Sequence, residues 1–277
     1  MDREPPAGEV RMSFFEHLEE LRRRLKVVFL ALMAFFIIFL VCSVFPLAIG
    51  GTSIPVPVPA FLYDDDPIAN KVFRSLVEYY KPADVNLTSL HPWDGVIVQI
   101  KVAMFLALVA ASPVSAYEFA KFIGPALKPK EKRLIVRVAA PVLGLFALGV
   151  TIAHLVILPF TFSFLYGTLR NLGVNPLFLF VDDFISFVTV FLVAFGLAFE
   201  LPVIMYGLSA VGMFDSGFWR RNWRFAAIAI FAFGAIVTPD ASGVTMLLVS
   251  FPMLILYVVG YGAVAQRERR LGRPKSS

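Results

Sequence analysis

The amino-acid sequence predicts an all-α membrane protein with six transmembrane helices. Hydrophobic residues make up 58% of the 277 residues and charged residues only 16%, whereas about a quarter of a typical soluble domain is charged. The mean hydropathy is +0.78. Several apolar stretches reach the roughly 20 residues that a helix needs to cross the hydrocarbon core. Residues 1–277 are therefore predicted to form a single membrane domain.

The six predicted spans cover about residues 25–47, 95–118, 136–166, 184–211, 225–239 and 243–263. An even number of crossings returns both termini to the same side of the membrane. Basic residues concentrate on that side, within 22–26, 121–137, 220–224 and 267–275. The positive-inside rule therefore predicts that both termini lie in the cytoplasm and that the chain is a multi-pass protein of the cytoplasmic membrane.

An amphipathic helix over residues 13–24 is predicted to lead into the first span, with a capping box at its start. It carries two acids and three arginines, namely Glu19, Glu20, Arg22, Arg23 and Arg24. A glutamate four residues before an arginine stabilises a helix by about 0.2–0.5 kcal/mol, which is one explanation of these charges. The other is a recognition surface at the membrane boundary, where charged residues of a partner bind.

The long segment 50–93 is predicted to lie on the external side, between the first two spans. It is rich in proline, contains the run Asp64-Asp65-Asp66, and has a short predicted helix over 67–80. Its composition fits either a structured cap or a flexible loop.

The loop after the second span mixes aromatic residues with a cluster of basic ones. Glu131 lies among Lys130, Lys132 and Arg133. This carboxylate is either a solvated counter-charge or an acceptor for an arginine from another chain. Phe122 is ambiguous as well, because an interfacial phenylalanine usually anchors or packs a helix.

Glu200 is the strongest functional candidate inside a predicted span. An acid at the centre of a membrane helix costs about 2.5–3.5 kcal/mol, so it is expected to face protein or water. Pro202 removes a backbone hydrogen bond and favours a kink beside it. We therefore expect Glu200 to face a concavity that water or a partner helix enters. His154 makes the third span similarly irregular, although a lone histidine is more often structural.

The sequence contains no nucleotide-binding or metalloprotease motif, and its three histidines lie in separate regions. Its single cysteine excludes an internal disulfide. We predict no enzymatic activity, no cofactor, no metal site and no nucleic-acid partner. Any transport must then be driven by an ion gradient, by the substrate or by a partner.

Four segments in order carry a family resemblance. They are His-Leu-Glu-Glu-Leu-Arg-Arg-Arg-Leu at 17–25, Phe-Ile-Gly-Pro-Ala-Leu at 122–127 followed by Glu131, Phe-Gly-Leu-Ala-Phe-Glu-Leu-Pro-Val at 195–203, and Thr-Pro-Asp at 238–240. Together they resemble the TatC family, the multi-spanning subunit of the twin-arginine protein translocase. The resemblance covers roughly residues 12–265.

The resemblance implies a concave, glove-like helical bundle that binds twin-arginine signal peptides of folded proteins. It also implies assembly with single-span partners of the TatA and TatB type into an oligomeric complex, with export driven by the proton-motive force. Carried over to this sequence, Glu20 and Glu131 receive the arginine pair, with Arg22 and Phe122 in the same cytoplasmic patch. Glu200 is the intramembrane acid of the concave face.

The resemblance makes Asp240 the acid of the third external loop. Glu118 stands where the family usually has glutamine, and Ala120 where it has tryptophan. Glu118 is either a third carboxylate of the binding patch or a partner of Lys121. Two alternative functions are a proton- or ion-coupled small-solute transporter that uses Glu200 and His154, and a passive membrane scaffold.

Overall fold

The computed structural model describes residues 14–49, 52–82, 85–123, 134–174, 178–210, 212–238 and 243–270. The described chain is mostly helical, with helices α1 (Phe14–Val41), α2 (Ile68–Tyr80), α3 (Asp94–Ile123), α4 (Leu134–Ile152), α5 (Leu158–Asn171), α6 (Val181–Ala198), α7 (Leu201–Ala210), α8 (Ser216–Arg221), α9 (Trp223–Val237) and α10 (Val244–Arg270). The strands are β1 (Cys42–Ile49), β2 (Thr52–Pro59), β3 (Asn86–Thr88) and β4 (Phe178–Phe180).

Among the described residues, five helical segments are long and apolar enough to cross a membrane. They are Leu18–Val41, Asp94–Phe119, Ala140–Asn171, Val181–Ala210 and Val244–Arg270. They overlap the first four predicted spans and the last one. The fifth predicted span corresponds to α9, which has 15 residues. At 1.5 Å per residue it measures roughly 22 Å, less than the ~30 Å hydrocarbon core. A sixth crossing and the side on which the termini lie stay predictions.

The first span ends earlier than predicted. Helix α1 stops at Val41, and the residues up to 47 that were expected to continue it lie in strand β1. The strand pairs antiparallel with β2, with Cys42 opposite Pro59 and Pro46 opposite Pro55. Pro46 disfavours helical backbone at its own position and at the residue before it, which agrees with the extended backbone of β1 there. The all-α prediction is wrong at this hairpin and at a short parallel pair, β3 with β4.

The described part of segment 50–93, which is predicted to be external, is a structured cap rather than a flexible loop. The helix predicted over 67–80 is present as α2. Lys71 on α2 lies 2.6 Å from Asp65 and donates a 2.9 Å hydrogen bond to Ser43 of β1. Hydrogen bonds from Lys71, then from Ser43 and the Asp66 backbone N–H, lower the pKa of Asp65 to about 2. These contacts connect the hairpin to α2.

The cap is also held against the third predicted span. Helix α4 continues through a π-helical turn, Ala153–Ile157, into α5. Pro159, in the first turn of α5, has no N–H for the regular helical pattern, a usual reason for such an insertion. The Tyr80 hydroxyl donates to the His154 carbonyl at 3.1 Å and shares a hydrogen bond with His154 Nδ1. His154 is therefore engaged in a structural contact.

Helix α6 lies at the centre of the core, and a row of phenylalanine rings runs along one side of it. Phe191 and Phe195 are completely buried and their ring centroids are 5.1 Å apart. Small residues let α4 approach this helix closely. A Cβ atom added to Gly149 of α4 would lie 2.6 Å from the Phe195 carbonyl oxygen. On α6, a Cβ atom at Gly196 would lie 2.6 Å from the ring of Phe146.

Candidate functional site

Helices α1, α3, α4, α6 and α7 line an open apolar cavity of about 610 Å³. Most of its wall is aliphatic or aromatic, including Leu21 and Val28 of α1, Phe146 of α4 and Leu197 of α6. The polar residues of the wall are Arg24, Ser112, Ser115, Glu118 and Glu200. A large apolar cavity with a few polar groups has the composition of a ligand-binding site.

Glu200 lies in this cavity wall because the fourth predicted span is broken. Helix α6 ends at Ala198 and α7 begins at Leu201. The Glu200 backbone N–H donates to Leu197 at 3.1 Å, and its carbonyl accepts from Val203 at 3.0 Å. Its side-chain Oε1 is buried and has no hydrogen-bond partner within the described part of the chain. An unpaired carboxylate oxygen beside an apolar cavity is an acceptor open to a polar ligand or to a proton.

A second polar group, the Glu20–Arg24–Glu118 cluster, lies where α1 passes α3. Arg24 Nε donates to Glu20 Oε1 at 3.1 Å, and Arg24 Nη2 contacts the same oxygen. Arg24 Nη1 donates to Glu118 Oε2 at 3.1 Å. The three side chains are only 9% exposed for Glu20, 14% for Arg24 and 13% for Glu118. One guanidinium therefore bridges two carboxylates in a largely desolvated setting.

The cluster is not fully satisfied. Glu20 Oε2 is buried and lacks a hydrogen-bond partner among the described residues. Lys121 lies at the edge of the cluster, 3.8 Å from Glu118 Oε1, with its ammonium 4.1 Å from the centre of the Tyr117 ring. Of the two readings of Glu118, the contact with Lys121 is present, but the shorter pairing is with Arg24 on another helix.

The structure brings together only some of the predicted site residues. Glu20 belongs to the Glu20–Arg24–Glu118 cluster, whose Arg24 and Glu118 line the same cavity as Glu200. Arg22 is exposed on α1, two residues from Glu20. The backbone of Phe122 lies at the end of α3, but its side chain is outside the described residues, as are Glu131 and Asp240. Their roles stay predictions.

Sequence reasoning missed a polar contact between α3 and α6. Lys101 Nζ lies 2.5 Å from Asp182 Oδ1 and donates to Ser186 Oγ at 2.7 Å. A lysine inside an apolar span and an aspartate at the start of another are costly in hydrocarbon unless they pair, and this was the available signal. The contact holds α3 against α6 near the N-terminal ends of both helices.

Comparison with known proteins identifies the family to which this architecture belongs. Residues 16–252 match the profile of the family described as Sec-independent protein translocase protein (TatC). The chain belongs to the TatC family. A TatC protein from Cenarchaeum symbiosum is 38% identical over 94% of this chain and 97% of its own length. One from Aquifex aeolicus is 33% identical over 94% of this chain and 98% of its own length.

Solved structures agree with this assignment. A structure described as the twin arginine translocase receptor TatC in DDM has a TM-score of 0.72 and 31% sequence identity, and the match covers 90% of this chain and 99% of that one. The family resemblance inferred from the sequence is confirmed. The protein is a multi-pass membrane subunit of a protein translocase, and its family is a transport family rather than an enzyme family. Because the chain belongs to the TatC family, the alternative of a small-solute transporter is not pursued.

Proposed function

We propose that this TatC protein is the receptor of its translocase and binds twin-arginine signal peptides of folded cargo. The observation that supports the proposal most is the Glu20–Arg24–Glu118 cluster at the apolar cavity, with the buried, unpartnered Glu20 Oε2. A desolvated carboxylate with a free oxygen is suited to accept a guanidinium from another chain. The solved relative is itself described as a twin arginine translocase receptor.

In this proposal Glu20 and Glu131 receive the two arginines of the peptide, with Arg22 and Phe122 in the same cytoplasmic patch. A guanidinium presents a planar fork that a carboxylate accepts through two oxygens, whereas the ammonium of lysine is a point charge. Carboxylates therefore distinguish an arginine pair from a lysine pair.

The apolar cavity supplies affinity in this proposal. Each buried methylene of a signal peptide's hydrophobic segment contributes about 0.8 kcal/mol. The cavity of about 610 Å³ begins at Leu21 and Leu25 of α1, next to the cluster. The two halves of a signal peptide, charged and apolar, thus have adjoining surfaces on the protein.

We further propose that the receptor assembles with single-span partners of the TatA and TatB type in an oligomeric complex of the cytoplasmic membrane, driven by the proton-motive force. Glu200 Oε1 lacks a partner among the described residues and borders the cavity, so it either accepts a hydrogen bond from a polar group on a partner's span or takes up a proton. Asp240 is assigned to the external loop of the same complex. Both termini are placed in the cytoplasm by the positive-inside rule.

The test is peptide binding to the purified protein in lipid nanodiscs. A labelled signal peptide with adjacent arginines is titrated against its twin-lysine version, using the wild type, Glu20→Ala and Glu131→Ala. We expect the wild type to prefer the arginine pair and either substitution to abolish that preference. Equal binding of the two peptides by the wild type, or a preference that survives Glu20→Ala and Glu131→Ala, would refute the receptor role of these carboxylates.

A further inference from the structure

Arg24 already occupies a carboxylate that the proposed function assigns to the signal peptide. Two of its N–H groups are directed at Glu20 Oε1 and a third at Glu118 Oε2. Only Glu20 Oε2 is left without a partner among the described residues. A peptide arginine needs both oxygens of Glu20 for two-point binding. Arg24 must therefore release Oε1 before the peptide can bind fully.

We propose that Arg24 is an intramolecular competitor of the signal-peptide arginine, and that Glu118 is the partner that holds Arg24 when the peptide displaces it from Glu20. This inference rests on the proposed function and adds a mechanism to it. Glu118 becomes a positioning residue that sets the peptide affinity through Arg24 without touching the peptide.

Desolvation explains why Arg24 needs a second carboxylate. Its side chain is 14% exposed, and a buried charge that loses its partner is strongly destabilised. With Glu118 at 3.1 Å, Arg24 keeps an ion pair when Glu20 is taken. Lys121 lies farther away, 3.8 Å from the other oxygen of Glu118, and also stacks on Tyr117. Lys121 therefore leaves Glu118 Oε2 to Arg24.

The exchange lowers the affinity of Glu20 for any incoming cation. The incoming group must replace a guanidinium that makes two hydrogen bonds to Glu20. An arginine restores both hydrogen bonds, whereas a lysine ammonium cannot reproduce the planar fork. Both peptides bear the same cost of displacing Arg24, and the arginine peptide recovers more of it, so the preference for arginine stays that of Glu20 itself.

The test is a double-mutant cycle on the full-length protein in nanodiscs, with the twin-arginine peptide as probe. Removing the competitor in Arg24→Gln should tighten binding roughly threefold to tenfold, which corresponds to about 0.7–1.4 kcal/mol. Glu118→Gln should weaken binding by a similar factor, because Arg24 is then confined to Glu20. In the Arg24→Gln background, Glu118→Gln should lose at least threefold less affinity than it does in the wild-type background.

Two exposed neighbours on α1 serve as charge-matched controls. Arg23→Gln removes the same charge as Arg24→Gln, and Glu19→Gln removes the same charge as Glu118→Gln. Each control should change the affinity less than twofold. If Arg24→Gln does not fold, Arg24→Lys keeps the charge without the fork and should tighten binding in the same direction.

The outcomes separate this inference from the proposed function. If the wild type does not prefer the arginine peptide, the receptor proposal fails. If that preference stands but neither Arg24→Gln nor Arg24→Lys tightens binding, the competitor role is refuted. A loss from Glu118→Gln that is equal in both backgrounds would mean that Glu118 contacts the peptide directly, and would also overturn the inference.

Discussion

Arg24 of α1 and Glu118 of α3 are 94 positions apart in the sequence, yet their Nη1 and Oε2 atoms lie 3.1 Å apart. The pair joins the N-terminal helix to the second predicted span in the wall of the cavity. Glu20 completes the arrangement from the preceding turn of α1. The cluster is therefore both a helix-helix contact and part of the proposed recognition surface.

Exchanging the charges of Arg24 and Glu118 tests whether their ion pair stabilises the contact between α1 and α3. Arg24→Glu should lower the free energy of unfolding by about 1.5–3 kcal/mol, because it replaces charged hydrogen bonds by three neighbouring carboxylates. Adding Glu118→Arg should recover at least half of the loss, since the new arginine faces Glu20 and the new glutamate. Thermal unfolding in nanodiscs measures both effects. No recovery in the double variant would show that the contact between Arg24 and Glu118 contributes little to stability.

The sequence predicted this cluster only in part. The Glu20–Arg24 pair follows from four-residue spacing on a helix and needs no tertiary information. The partner on α3 depends on where two long helices cross, which apolar composition does not encode. Proximity in the sequence offers Lys121 as a partner of Glu118, beside the alternative of a third carboxylate in the binding patch, whereas the shorter ion pair connects different helices.

Hydropathy located the five long apolar helices of the described residues but not the C-terminal end of the first one. The residues after Val41 are apolar enough to extend a helix, yet they pair with the proline-rich strand β2. Prolines within 50–59 favour a loop when they are considered alone, because proline cannot donate to a sheet ladder. The hairpin is held by contacts with residues outside it. For example, Phe45 of β1 stacks on Tyr63, with ring centroids 4.4 Å apart. Such contacts cannot be predicted from local sequence patterns.

Glu200 is expected to matter for export more than for folding. Replacing it with leucine removes an unpartnered buried oxygen, so the variant should be as stable as the wild type or up to about 2 kcal/mol more stable. Export of a folded reporter should nevertheless collapse, and Glu200→Gln should also impair it if a charge or a proton is needed. Thermal unfolding and an export assay in cells measure the two properties. A leucine variant that exports normally would contradict the functional role.

Acid should loosen the contacts between the hairpin and α2 through Asp65. The pKa of Asp65 in the folded protein is about 2, below its ordinary value of 3.8. Since the folded state favours the ionised carboxylate, its contribution is fully present above about pH 4 and is lost as the pH falls toward 2. Hydrogen exchange of α2 amides should therefore accelerate over that interval.

Two neighbouring substitutions isolate the Asp65 effect. Asp65→Asn should remove the acid-dependent part of the exchange rate, because an amide does not titrate. Asp64→Asn changes an exposed carboxylate one position earlier and should leave the profile unchanged. An unaltered pH profile in Asp65→Asn would assign the acid response to another group.

The approach of α4 to α6 predicts a sharp difference between two glycines of the same helix. Gly149→Ala should destabilise the protein by about 1–3 kcal/mol, because its Cβ atom would lie 2.6 Å from the Phe195 backbone oxygen and 2.8 Å from the Phe199 ring. Gly144→Ala is the matched control, since nothing lies within 4 Å of its added Cβ atom. That variant should be neutral or slightly stabilising, because alanine favours the helix. Thermal unfolding of both variants measures the difference, and equal stability would place α4 farther from α6 than the structure does.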